Sequence, residues 1–165
     1  MRCTSEEDAK HKRGPKCLTC PMMANESSFT INNINCNSCH GGDCKSYNLI
    51  HLLMCRKCGK PYIGKTTQPL HKRVNGHRTA KIEPGQTKET LTDDQALAAH
   101  CLFDHKNEVE FNKLYKIFII KVVNPNELLS TEQFLANKYK SFEPTGLNIG
   151  NPIGLPMLRT QGHNR

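Results

Sequence analysis

The chain has no tryptophan among its 165 residues, and aromatic residues make up only 6% of it. With 36% hydrophobic residues, a core can form, but a modest one that a metal staple would strengthen. No apolar run approaches the roughly 20 residues needed to span a bilayer, so a membrane role is not expected. The first eight residues, MRCTSEED, contain no apolar stretch and do not read as a secretory signal. Acidic residues are also in deficit: 15 Asp and Glu against 23 Lys and Arg leave a net charge of +8 and a pI near 9.1. A surface of that sign suits polyanions through contacts to phosphate.

What the chain does have is cysteine. Six of its nine Cys fall in tight pairs: Cys17 with Cys20, Cys36 with Cys39, and Cys55 with Cys58. Two residues between thiols let both reach one tetrahedral ion, and without a secretory signal zinc is favoured over disulfides. Cys17, Cys20, Cys36 and Cys39 together match a zinc-ribbon spacing, with Cys44 and His40 competing for the fourth place. Cys3 reads as a free thiol and Cys101 as a small core residue. For Cys55 and Cys58 the nearest partners downstream are His100 and His105. Five residues apart, they would lie roughly 140° apart on a regular helix, so the helix is expected to end between them.

Residues 1–16 read as a flexible basic lead, and 17–45 as a Cys-rich, zinc-binding loop region. The pattern then changes. Strands are predicted over 47–54 and 61–64, joined by the Cys55–Gly59 turn, and over 114–123. Helices are predicted over 68–80, from a Thr92–Gln95 capping box to about Cys101, and from about Glu127 to Tyr139. Residues 46–150 thus form one small α+β domain, followed by an irregular tail, 151–165.

Two polar residues sit where the helical pattern is apolar. In the last helix Leu128, Leu135 and Tyr139 share an arc with Ala136 and Leu129, and Glu132 falls in its middle. A carboxylate there is costly unless paired, metal-bound or facing a cleft. In the first helix Arg73 and His77 lie one turn apart beside Leu70 and Val74. An Arg suits a phosphate, and a His can move a proton near neutrality.

These residues, in this order, resemble the GIY-YIG nuclease domain. The stretches that carry the likeness are NLIHLLMCRKCGKPYIGKT, LHKRVNGHR, LAAHCLFDH and GLN. The Cys pair between the two strand motifs, with a later His pair, is similar to the endonuclease of Penelope-like retroelements. The resemblance implies a three-stranded antiparallel sheet flanked by helices. It implies an Mg²⁺-dependent endonuclease that nicks DNA to prime reverse transcription. It also implies a nuclear location, and a reverse transcriptase with its RNA as partners. Tyr62 would lie near the attacking water, Arg73 would stabilise charge on the phosphate, and His77 would assist proton transfer. Glu132 would hold the Mg²⁺, and Asn148 would support the site's edge. Cys55, Cys58, His100 and His105 would hold a structural zinc. The chain departs from the pattern at His51, where the family usually has Tyr, and at Leu49, where it has Gly. An imidazole has a normal pKa near neutrality, so His51 could serve as the general base. The alternative is an inactive, zinc-containing DNA-binding module.

Overall fold

A computed structural model describes residues 17–38 and 42–150. The readings made for Cys3, Cys39, His40, the basic lead and the tail lie outside these residues. Among the described residues, five strands and four α-helices follow one another: β1 Ser28–Ile31, β2 Ile34–Asn37, β3 Leu49–Cys55, β4 Pro61–Thr66, α1 Leu70–Thr79, α2 Ala96–Ala99, α3 Phe111–Leu114, β5 Tyr115–Val122 and α4 Leu128–Lys138. β3, β4 and β5 form an antiparallel sheet in the order β4-β3-β5. β1 and β2 form a separate antiparallel hairpin.

The continuous apolar run in β3 follows from its central place. Leu49, Leu53 and Cys55 face a core shared with Leu70 and Val74 of α1 and Leu97 of α2. Ile50 and Leu52 face the opposite core, with Leu128 and Leu135 of α4. A strand covered on both faces has no polar side to show, so period-two alternation disappears.

Two local features differ from expectation. The Cys-rich segment is not only a loop. It contains the β1–β2 hairpin, which turns through Asn32 and Asn33 at positive φ of 46° and 65°. Asn tolerates that left-handed region, and paired positive φ values match the twist of a two-residue hairpin. The hairpin sends Ile31 and Cys36 into the core beneath α4, and Phe29 packs on Phe118 with ring centroids 4.0 Å apart. The second predicted helix opens on its Thr92–Gln95 capping box, but only Ala96–Ala99 is α-helical; a single π turn, His100–Asp104, follows.

The sheet's edges are covered. Ala24 N–H donates to Ile117 O on β5 (2.7 Å). On β4, Leu147 N–H donates to Pro61 O (2.9 Å). The Asn148 side chain then acts as a surrogate strand: its Oδ1 accepts Ile63 N–H (2.9 Å) and its Nδ2 donates to Ile63 O (2.7 Å). Glu132 Oε1 accepts the next outward amide, Lys65 N–H (2.9 Å). Unpaired edge amides are thereby satisfied, and α4 and the 141–150 segment are pinned to β4.

Candidate functional site

The Cys55–Cys58 turn and the π turn meet to make one cluster. Cys55, Cys58, His100 and His105 each offer a donor atom within 4.8 Å of the others, an arrangement that could hold a metal ion. Cys55 Sγ lies 3.4 Å from His105 Nε2, Cys58 Sγ lies 3.5 Å from His100 Nε2, and the two Nε2 atoms are 3.1 Å apart. Ligand atoms around a tetrahedral zinc, at about 2.0–2.3 Å from the ion, stand about 3.3–3.8 Å from one another. The cluster is close to that size. The helical stretch ends between the two His, as their spacing required: its last turn, His100–Asp104, is a π turn, and His105 lies just beyond it at a non-helical φ of -119°. His100 Nδ1–H donates to Asp104 Oδ2 (2.7 Å), which leaves Nε2 as the free donor atom. Gly59, at φ 73°, closes the Cys turn in a conformation suited to glycine. Burial pushes the Cys55 thiol up to about 11.

A second cluster joins Cys17, Cys20 and Cys44, also within 4.8 Å of one another. Cys44 Sγ is 3.6 Å from Cys17 Sγ and 3.3 Å from Cys20 Sγ. This corrects the expected four-Cys set. Cys36 faces the core from β2, and its thiol donates to Ile34 O (3.4 Å), so it is not at the cluster. Strand alternation decides this, because Cys36 points inward with Ile31. Cys44 is delivered by a tight turn in which Asp43 Oδ1 accepts from Lys45 N and Ser46 N. The Cys44 carbonyl accepts from His71 N–H (2.8 Å), so this cluster is fastened to the first turn of α1. Cys101 packs in the core as expected, beside Tyr115.

The six candidate catalytic residues divide into two groups. Arg73, Glu132 and Asn148 line one cleft of about 310 Å³ at the outer edge of β4, together with Lys65, Asp93 and Asp94. His51, Tyr62 and His77 form a layer behind it, with at most 1% of their surface exposed. Tyr62 packs edge-on to His77 with centroids 5.0 Å apart, and His51 lies 6.1 Å from His77. A Cβ at Gly64 would stand 2.9 Å from the Tyr62 ring and 3.0 Å from His51 Nε2, so glycine is needed between those rings.

The electrostatics follow from burial. Desolvation, with the nearby Arg73, lowers His77 to about 4. Desolvation, then the charges of His77 and Arg73, hold His51 well below the usual imidazole range. Desolvation, then the Asp93 carboxylate, push Tyr62 well above the usual phenol range. At neutral pH the layer therefore holds two neutral imidazoles and a protonated phenol. Neither His51 nitrogen, nor His77 Nε2, nor Arg73 Nε has a hydrogen-bond partner among the described residues.

Three residues of this region escaped the sequence reading. Lys65 directly follows the PYIG motif, and its Nζ lies 2.5 Å from Glu132 Oε2. Asp94 pairs with Arg73 (2.7 Å). Asp93, read only as part of a helix cap, accepts the Tyr62 hydroxyl on Oδ2 (2.6 Å) and Ile149 N–H on Oδ1 (3.1 Å). PYIG pointed to Lys65 by adjacency; nothing in the sequence placed Asp93 against Tyr62, 31 residues away.

Among protein-family models, curated proteins and solved structures, none matches this chain. Among the described residues, no helix is long and apolar enough to cross a membrane.

Proposed function

We propose that the chain is an Mg²⁺-dependent DNA endonuclease of the GIY-YIG type, akin to that of Penelope-like retroelements, which nicks one DNA strand. The observation that carries this reading is the convergence of Arg73 from α1, Glu132 from α4 and Asn148 from the C-terminal segment on one cleft beside β4. The β4-β3-β5 antiparallel sheet flanked by helices is the frame the resemblance calls for. The excess of 23 basic over 15 acidic residues supports a DNA partner.

In this reading Arg73 binds the scissile phosphate and offsets the charge that develops on it. Asn148 holds the β4 edge and the C-terminal segment in fixed relation. Glu132 brings oxygen donors to the cleft, and among the described residues no thiol or imidazole lines it, a setting that suits Mg²⁺. Bound at Glu132, the ion would act as a Lewis acid on the phosphate. Zinc at Cys55, Cys58, His100 and His105 is structural and ties the β3–β4 turn to the end of α2. A second zinc at Cys17, Cys20 and Cys44 steadies the start of α1, the helix that carries Arg73. The role in priming reverse transcription, in the nucleus and beside a polymerase and its RNA, belongs to the same proposal.

One observation favours a second reading, a DNA-binding module without turnover: Lys65 already neutralises the carboxylate assigned to the metal. Conversion of supercoiled DNA to open circles separates the two. The nuclease reading expects nicking with Mg²⁺ that is lost in Glu132→Ala. Salt-sensitive DNA binding with no nicking in any divalent metal would favour the second reading.

A further inference from the structure

Asp93 joins the cleft to the buried layer behind it. Tyr62 is fully buried, so its hydroxyl does not reach the cleft; it donates instead to Asp93 Oδ2 (2.6 Å). Asp93 lines the cleft itself. Ile149 N–H fixes its other oxygen (3.1 Å), and Asn148 Nδ2 stands 3.5 Å from that oxygen. Donors on opposite oxygens hold the carboxylate in one orientation, and Oδ2, which accepts only the Tyr62 hydroxyl among the described residues, keeps a lone pair. His51, by contrast, is wholly buried and is not among the cleft-lining residues. A general base must come within hydrogen-bond reach of the proton it takes. That requirement excludes His51 in this conformation and admits Asp93.

We propose, resting on the nuclease reading above, that Asp93 is the group that takes the proton of the attacking water, with Tyr62 and the Ile149 amide as the residues that aim it. The water oxygen forms a bond to phosphorus, and one phosphorus–oxygen ester bond breaks, its electron pair leaving on the departing oxygen. The water proton passes to the Asp93 carboxylate, and the departing oxygen takes a proton from solvent. The charged and titratable groups around Asp93 are Tyr62 and Lys65 from β4, Arg73 from α1, Glu132 from α4 and the adjacent Asp94, with His77 of α1 behind Tyr62.

The test is single-turnover nicking of supercoiled DNA by the full chain with Mg²⁺, across a pH series, for wild type, Asp93→Asn and Asp93→Glu, with melting temperature and DNA affinity measured alongside. Asp93→Asn is expected to lose about 100-fold or more in rate, and its residual rate to rise about tenfold per pH unit as hydroxide replaces the lost base. DNA affinity should stay within about threefold, because Arg73 still binds the phosphate. Asp93→Glu keeps a carboxylate and should recover the wild-type pH profile at a reduced rate. Wild type that nicks, with Asp93→Asn within about threefold of it and the same pH profile, overturns this inference and leaves the nuclease reading standing. A stably folded Asp93→Glu protein as inactive as a destabilised Asp93→Asn overturns it too. Wild type that never nicks overturns the nuclease reading, and this inference with it.

Discussion

Lys65 Nζ lies 2.5 Å from Glu132 Oε2 while the Lys65 amide donates to Glu132 Oε1, so one residue engages both oxygens of the carboxylate that the nuclease reading assigns to a metal. The ammonium and a divalent cation compete for the same oxygen. Lys65→Met removes the competitor and keeps the backbone contact. Its affinity for Mn²⁺ in the absence of DNA, read by calorimetry, should exceed that of wild type by about tenfold, the equivalent of one charge-assisted contact of about 1.5 kcal/mol. Equal affinities would mean that Lys65 does not guard the site.

Metal content tests both Cys clusters. Purified wild type should carry two zinc ions per chain, one for each of the two donor groups. Cys58→Ser should lose one ion and Cys17→Ser the other. Cys36→Ala should keep both ions, because Cys36 is a core residue, and should cost about 1–3 kcal/mol of stability from the cavity it leaves. Loss of an ion in Cys36→Ala would restore the four-Cys set that the spacing first suggested.

His77 gives the fold a pH dependence whose sign is fixed. Its folded value of about 4 lies below the ordinary 6.5, so the folded state favours the neutral ring. The contribution is fully present above about pH 6.5 and is lost as pH falls through the window down to about 4, where the unfolded chain binds the extra proton. Over that window it amounts to something on the order of 3 kcal/mol. Thermal melting of wild type and His77→Phe, both stripped of zinc, should show a steeper fall between pH 6.5 and 4 for wild type. Parallel curves would show that His77 is not buried as a neutral ring.

Much of this fold is written in local pattern. The run from Leu49 to Met54, the Ile-rich run ending near Val122 and the helix around Leu70 and Val74 lie within one or two residues of their predicted bounds, because burial on one or two faces leaves a direct periodic trace. The β1–β2 hairpin was missed although Asn32-Asn33 between apolar residues is a turn signal; the surrounding Cys drew the segment toward a metal reading. The helix end between His100 and His105 was legible from their spacing, but its π winding was not, since nothing in HCLFDH distinguishes a π turn from a last α-helical turn. The site was legible where a residue breaks a pattern. Glu132 in an apolar arc and Arg73 beside Val74 both open on the cleft. The rest was not, because it depends on long-range placement. Glu132 and Lys65 are 67 positions apart, and only the docking of α4 on β4 brings them together. The depth of His51 and Tyr62 likewise follows from what covers the sheet edge.

The nuclease reading stands on one measurement above the rest: the single-turnover rate of nicking supercoiled DNA with Mg²⁺ by wild type and by Glu132→Gln, with DNA affinity determined for both. The account predicts that wild type nicks, that Glu132→Gln is slower by about 100-fold or more, and that the two bind DNA within about threefold of each other. A wild-type chain that binds DNA without nicking it, or a Glu132→Gln chain that nicks at the wild-type rate, would contradict it.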